Sequence, residues 1–511
     1  MSEPDGTRHH FVPDQYGGCF SPILNGIEYA DDGSGWMLKV DPNSGTPVYN
    51  GLDYDLIKPD GTEIKAVRNS TSGEDDITLT DPNGNQIVYS SVSGKITDTL
   101  GRSITTPIPL PLCTPPSCEI DYTDSNGVVQ KIQIAASNIS ISTNFSCPDD
   151  LTCTQYSQNA ASPTQITLPN GLKYTFTYPT TANPFGELLS ATLPTGGTVS
   201  WTYQFYIDNS HLQVLTRTVT ANGQTFPWSY AYASSGVSTT TVTDPLLNDT
   251  RYSCVLMNST TPGFSTSACE PTKVEVFSGS VASGTLLKTA TTDYVNTNAI
   301  LPIRNTTTWA QTNQVTKVET DWDSFNTGQV TISWRNPINK REYAYGTGIP
   351  GSIIRTTSNN YLHLTNSSYL NLNIADRPIS TIVYEANGVT VHAKTLFSYD
   401  SDTILAGSSG AVSHDYTHFS SSNTLRGNST LIQRWRNTDG ALLKTYNYYN
   451  DSGICCRRWT RPLTILTSTT PTPGISLLVP LLQGLRRHLL RRKRTRSASS
   501  RLQNTIRAVR S

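Results

Sequence analysis

The residues of this chain with the most chemical reach are cysteines, histidines, carboxylates and tryptophans. Six of nine cysteines fall into close pairs, Cys113 with Cys118, Cys147 with Cys153 and Cys254 with Cys269. Such spacing suits small loops closed by disulfides in an oxidising compartment, or else a set of unrelated thiols. Zinc fits poorly, because the short pairs lack two-residue ligand spacing and have no histidine beside them. His414 and His418 would share a face of a helix and could hold a metal there. The surrounding Ser- and Asn-rich text instead reads as a loop with solvated histidines, and His9-His10 reads the same way. Asp31-Asp32-Gly33 and Glu74-Asp75-Asp76 lack the ligand spacing of an EF-hand and read as solvated turns. No nucleophile elbow, phosphate loop or dinucleotide fingerprint occurs, so the expectation is a non-enzymatic protein with no cofactor. Trp201 and Trp334 sit in strand-like runs, where an aromatic ring either packs across strands or offers a stacking platform to a sugar.

The elements that must position these groups are strands. Charged residues make up 15% of the 511, well below an ordinary soluble composition, and Thr, Ser and Asn fill the deficit. Lys173–Tyr178, Gly197–Tyr203 and Gln329–Trp334 alternate polar with apolar residues at a period of two, the pattern of half-buried strands. Turn signals separate such runs, and their final glycines fall at Gly61, Gly84, Gly127, Gly171, Gly197, Gly223, Gly388 and Gly440. Glycine accepts the positive φ of tight hairpins. Several of these glycines lie 22–26 residues apart and others near twice that, which indicates a hairpin repeat. A lone hairpin is marginal in water, so neighbours must pair side by side into an extended curved sheet. Asp41-Pro42, Asp81-Pro82 and Asp244-Pro245 read as turn starts.

Charge is segregated. Residues 455–511 hold twelve Arg, one Lys and no acid, while the preceding 454 carry 25 basic and 39 acidic groups. All 25 tyrosines precede residue 455. Such a tail reads as the product of a shifted reading frame near codon 454, disordered in solution. The competing reading is a genuine basic segment that binds nucleic acid or an anionic membrane. No run of about 18 apolar residues exists to span a membrane as a helix. The first twenty residues are no secretory signal, so export implies a truncated N-terminus or another route.

The repeat text has a relative. Thr80-Asp81-Pro82-Asn83-Gly84-Asn85, Thr243-Asp244-Pro245, Phe397-Ser398-Tyr399-Asp400 and Tyr446–Gly453 resemble the Rhs or YD-repeat family, most clearly over 53–102, 166–254 and 395–453. That resemblance implies a secreted or cell-surface protein whose repeats wind into a β-sheet spiral able to close into a shell. It also implies a partner, an encapsulated toxin domain not present in this chain. The family's self-cleaving aspartate motif finds no match here. The expected organisation is an all-β body with N-terminal hairpins over 1–112, a Cys/Pro-rich loop insertion over 113–160, a YD-like region over 161–454 and the basic tail over 455–511. The expected function is a structural scaffold for encapsulation or display, as a shell fragment. The alternative is a carbohydrate-binding or carbohydrate-active β protein, with carbohydrate or the cell envelope as its partner.

Overall fold

In the computed structural model the described residues are 9, 11, 26–30, 34–40, 54–105, 115–124, 126–144, 155–180, 185–205, 212–233, 238–258, 267–296, 300–326, 331–401, 411–420 and 422–461. They form one antiparallel sheet of 30 strands, in which successive strands pair except that Gly346–Thr347 pairs back to Gln314–Trp322, and a separate two-stranded sheet. Among the described residues helix is confined to one five-residue α-helix, Ser367–Asn371, and a 3-10 turn at Leu362–Leu364. The all-β expectation is met, and the sheet does not close into a barrel.

Local chemistry explains the meander. In the turn after β3 (Tyr54–Ile57), Gly61 N donates to Lys58 O and Lys58 N to Thr62 O, so Pro59-Asp60-Gly61 forms a three-residue loop with Gly61 at φ +85°. This is a type I turn closed by a left-handed residue. The same pair of bonds recurs at 81–85, 98–102, 124–128, 168–172, 193–197, 244–248 and 450–454. The first residue explains the recurring aspartate. Asp81 Oδ1 accepts from the backbone N–H of Asn83 and Asn85, and Asp98, Asp124 and Asp244 do the same in their turns. Asp81 and Asp244 are therefore turn starts as expected, while Asp41 lies outside the described residues. Two details differ from the glycine expectations. At 193–197 the positive φ belongs to Gly196, and Gly197 starts the returning leg. At 244–248 Leu247 takes the left-handed position at φ +63° without a glycine.

Tyrosine marks the other end of many strands. Tyr399 ends β29 (Val391–Tyr399) at a bulge, and its hydroxyl donates to Pro378 O on β28 (Pro378–Glu385) at 2.8 Å. Tyr203, Tyr294, Tyr361 and Tyr449 sit at equivalent bulges and donate to a carbonyl of the preceding strand or its approach. Trp322 does so through its indole N–H to Pro302 O at 2.9 Å. The excess of tyrosine over phenylalanine follows, because only a polar tip can satisfy a carbonyl freed by the bulge.

Three sequence expectations are revised. Within 113–160, read as a loop insertion, lie β9 (Ser117–Thr123), the fourteen-residue β10 (Val129–Ser142) and the start of β11 (Ser157–Thr167). Residues 455–461, assigned to the tail, form β32 (Cys455–Arg461), which pairs with β31 (Leu442–Tyr449) and lengthens the sheet. Of the alternation at Gln329–Trp334, residues 329–330 lie outside the described residues, Thr331–Ile332 forms a two-residue strand, and Ser333 turns to Asp323.

The meander coils. Ala375 N donates to Pro59 O at 2.8 Å, and Asp60 bridges Ile374. Asp415 N donates to Gly84 O at 2.9 Å and Val412 N to Thr99 O at 2.7 Å. The turns after β3 and its successors thus meet the loops that follow β27 (Ile353–Tyr361) and β29. One rim of the early coil abuts the opposite rim of the late coil. Between the turn at 58–62 and the loop at 373–375 lie nineteen strands, β4 (Glu63–Arg68) to β22 (Gln314–Trp322), then β25 (Pro337–Tyr343) and β27. At ~4.8 Å per strand these span about 100 Å of circumference, or about 32 Å across between backbones.

Candidate functional site, the seam between coils

Because most of the sheet is a single layer, few side chains are fully buried, and many of those that are lie along this seam. Its apolar part joins Ile332, Trp334 and Ala375 to Tyr29, Phe325 and Leu370. The polar part has two centres, each braced by an aspartate that follows a bulge aromatic, Asp323 after Trp322 and Asp400 after Tyr399.

The first centre is Asp323, next to Trp322. Its Oδ1 accepts from Ser333 Oγ at 2.8 Å and from Asn336 N at 3.2 Å, and its Oδ2 accepts from Asn336 Nδ2 at 2.8 Å. Asn373, fully buried, donates to Gly35 O and Ile57 O at 3.0 Å and accepts from Trp334 Nε1 at 2.9 Å. One amide therefore ties the early rim to the late loops. His363 Nε2 lies 3.4 Å from Asp323 Oδ2, and neither side chain is exposed. Asp323, Ser333 and His363 have the residue types of a hydrolytic triad but the wrong order. The carboxylate stands between hydroxyl and imidazole, whereas a nucleophile needs its base in direct contact. Asp323 ties Ser333 and Asn336 together, while neither ring nitrogen of His363 has a hydrogen-bond partner. A cavity of about 260 Å³ opens onto this centre, lined by Asp323, Ser333 and Asp321 together with the apolar Val295, Leu301 and Ile303 among others.

The second centre is Arg426, 1% exposed. Its guanidinium donates to the carbonyls of Asn423, Asn83, Phe419 and Ser420 at 2.6–3.2 Å and to Asp451 O. All five acceptors are main-chain carbonyls, so they pull together an early turn, a late loop and the last turn. Burial lowers its pKa, opposed by the charges of Asp451, Asp400 and Asp81. Asp400 braces the loop: its carboxylate accepts from the backbone N–H of Arg426, Gly427 and Asn428 and from Tyr369 Oη. Burial foremost, with the Asp400 charge and hydrogen bond, pushes the Tyr369 hydroxyl well above its ordinary value.

The residues singled out from sequence fall as follows. His414 is no solvated loop histidine. It is buried at the seam, with Nε2 2.9 Å from Asn83 O, while His418 is exposed and paired with Asp415. His9 is likewise buried, stacked on Trp36. Among the described residues no group of three or more His, Cys, Asp or Glu is placed to hold a metal. Trp334 is 5% exposed and packed against Gly35, so no sugar ring reaches it. Trp201, on β14 (Thr198–Phe205), is half-buried and faces Arg217 on β15 (Leu212–Ala221). Arg217 in turn faces Trp228 on β16 (Gln224–Ala233), with its guanidinium 4.9 Å from that ring. Cys118 and Cys254 are disulfide-bonded. Cys118 lies in β9, not a loop. Cys254 lies on β18 (Asp249–Asn258) and Cys269 on the adjoining β19 (Ser267–Ser278), and the side chain of Cys269 is outside the described set. Cys113, Cys147 and Cys153 lie outside the described residues altogether.

Sequence reasoning missed Asp323, Asn373, Asp400 and Arg426. The aromatic-acid pairs Trp322-Asp323 and Tyr399-Asp400 were a usable signal for two of them.

No family model and no curated protein matches the chain. Among solved structures, a crystal structure of TcdB2-TccC3 is similar at 12% identity and a TM-score of 0.18, over 88% of this chain. This chain spans 30% of that one.

Proposed function

We propose that the protein is a non-enzymatic wall, a β-repeat scaffold of the Rhs or YD-repeat type that encloses or displays other material at the cell surface or outside it. One observation carries this reading: the sheet returns on itself after about 21 strands and locks rim to rim through buried polar groups. The repeat text supports the family assignment, because its aspartates cap turns and its tyrosines clamp bulges.

Negative-stain and cryo-electron microscopy of the purified full chain tests the proposal. The expected averages show a curved wall around a hollow about 30 Å across between backbones. Solid, filled particles would refute it. Loss of polysaccharide binding on Trp201→Ala, in a protein shown to bind polysaccharide, would favour the carbohydrate-binding alternative.

A further inference from the structure

The Asp323 carboxylate is shielded from solvent, and its hydrogen bonds all come from neutral donors, Ser333 Oγ, Asn336 N and Asn336 Nδ2. A buried carboxylate ordinarily stands beside a positive charge, because leaving water uncompensated is costly. Among the described residues the basic side chain within ion-pair distance is His363, with Nε2 3.4 Å from Asp323 Oδ2. That imidazole is also shielded from solvent, and its two nitrogens have no hydrogen-bond partner. The rings of Trp334 and Tyr361 stand against it, with centroids at 4.6 and 6.1 Å. The cations of the surrounding elements are engaged elsewhere or exposed. Arg341 holds Asp321, Arg377 holds Asp376 and Gly427 O, Lys58 lies over the Trp36 ring, and Arg335 is exposed. The Tyr361 hydroxyl donates to Pro337 O, and that of Tyr369 to Asp400. Asp376 and, on the early rim, Asp60 add negative charge. A neutral imidazole here leaves the Asp323 charge without a counter-charge, and a protonated one supplies it.

We propose that His363 is charged when the seam is closed, so that closing the seam takes up a proton and the first centre works as a pH-sensitive latch. The linkage reaches the rim through two short routes. Asn336 Nδ2 donates to Asp323 Oδ2 at 2.8 Å and to Ala375 O at 2.9 Å, and Ala375 N donates to Pro59 O on the early turn. Trp334, whose ring meets His363, donates to Asn373, the amide that holds Gly35 O and Ile57 O. Imidazole in ordinary surroundings changes charge between about pH 5 and 8. A closed seam that binds one proton more than the open one is favoured on the acid side of that range and loosened on the alkaline side, by at most about tenfold per pH unit. The proposal concerns closure of the seam and is independent of what the wall encloses or displays.

Nitrogen NMR of the full chain, labelled at histidine and with His363→Gln to assign the resonance, tests the charge. In the native protein His363 should hold protons on both ring nitrogens at about pH 7, where histidines of the urea-unfolded chain have mostly lost one. In Asp323→Asn it should hold one. Hydrogen exchange of the Ala375 amide, taken relative to its intrinsic rate at each pH, tests the linkage. Its protection should fall about tenfold between about pH 6.5 and 8.5, while amides of β14 to β16 keep theirs. His363→Gln should abolish that fall. A singly protonated His363 in the native protein at about pH 7 overturns the proposal. So does an Ala375 protection that is flat with pH, or one that still falls in His363→Gln. Both measurements on the unsubstituted protein decide the matter even where Asp323→Asn fails to fold, and neither depends on the hollow sought by microscopy.

Discussion

Arg426→Met should open the seam without unfolding the sheet. The substitution keeps much of the side-chain volume and removes the donors that reach five carbonyls. Each buried carbonyl left without a partner costs on the order of 1 kcal/mol, and the guanidinium's own desolvation cost is recovered. Asn83 O and Asp451 O keep His414 Nε2 within reach and Ser420 O keeps Asn423 N, so Phe419 O and Asn423 O are the carbonyls orphaned and the net loss is about 1–2 kcal/mol. Asn83 O is the acceptor on the early coil and the other four lie in the late loop and the last turn, so the loss falls on the seam and the loop that forms it and not on any strand ladder. Hydrogen exchange resolves the two. The amides of Asp415 and Gln86, bonded to Gly84 O and Ser413 O across the seam, should exchange faster by about one decade, at ~1.4 kcal/mol per decade. Amides of β14 to β16 should be unaffected. Arg426→Lys keeps the charge but supplies fewer donors in a different geometry, so it should fall between. Uniform acceleration throughout the sheet would refute the reasoning, since the seam would then be inseparable from the fold. Unchanged exchange at Asp415 and Gln86 would refute it too.

Glycine tips give a paired prediction: Gly171→Ala, at φ +80° in open space, should cost about 1–2 kcal/mol of turn strain, and Gly61→Ala should cost more because its Cβ would meet Ile374 Cγ1 at 2.5 Å. Thermal unfolding compares the two, and Ile374→Ala should narrow the gap. Tyr399→Phe should lose about 1 kcal/mol in the same assay, through the orphaned Pro378 carbonyl. Tyr361 is pushed up to about 12 by burial and then by the charges of Asp323 and Asp376, so its contribution is full below about pH 10 and is lost as pH rises toward 12. Absorbance titration should therefore show a late-ionising tyrosine class that merges with the normal one on denaturation. Glu319 runs the opposite way: burial raises its pKa, but hydrogen bonds from Tyr343, Lys317 and Arg341 outweigh that and hold it at about 2. Its stabilisation is present above the ordinary value of 4.5 and fades as pH falls toward 2, so Glu319→Gln should flatten the acid limb of the unfolding curve over that window.

What could be read from sequence was local. Period-two alternation gave β12 (Lys173–Thr177) and β14 nearly to the residue, and turn chemistry placed the positive-φ glycines at seven of eight positions, with Gly196 in place of Gly197. Both signals act over five to ten residues, where propensity and geometry are decided together. The Arg-rich text at Cys455–Arg461 failed as a boundary for a related reason. An unpaired edge of β31 offers backbone partners to whatever follows it, so composition did not decide the pairing there.

The seam was illegible because its partners are hundreds of residues apart. Asn373 reaches Ile57 across 316 positions, and nothing in the text near either residue announces the other. His414 was misread on the same account: in a one-layer sheet a loop residue is exposed unless a later coil happens to cover it. Burial in this protein is therefore a property of the winding more than of the strand pattern, and most strand residues stay half-exposed on both faces. That inverts the usual relation between core and stability. The ladders hold by repetition of turn caps and tyrosine clamps, each small, while the few buried polar groups, Asp323, Asn373 and Arg426, fix how one coil sits on the next. Substitutions within the repeats should accordingly cost little one at a time, and substitutions at those three should change the curvature and closure of the wall before they change its strand content.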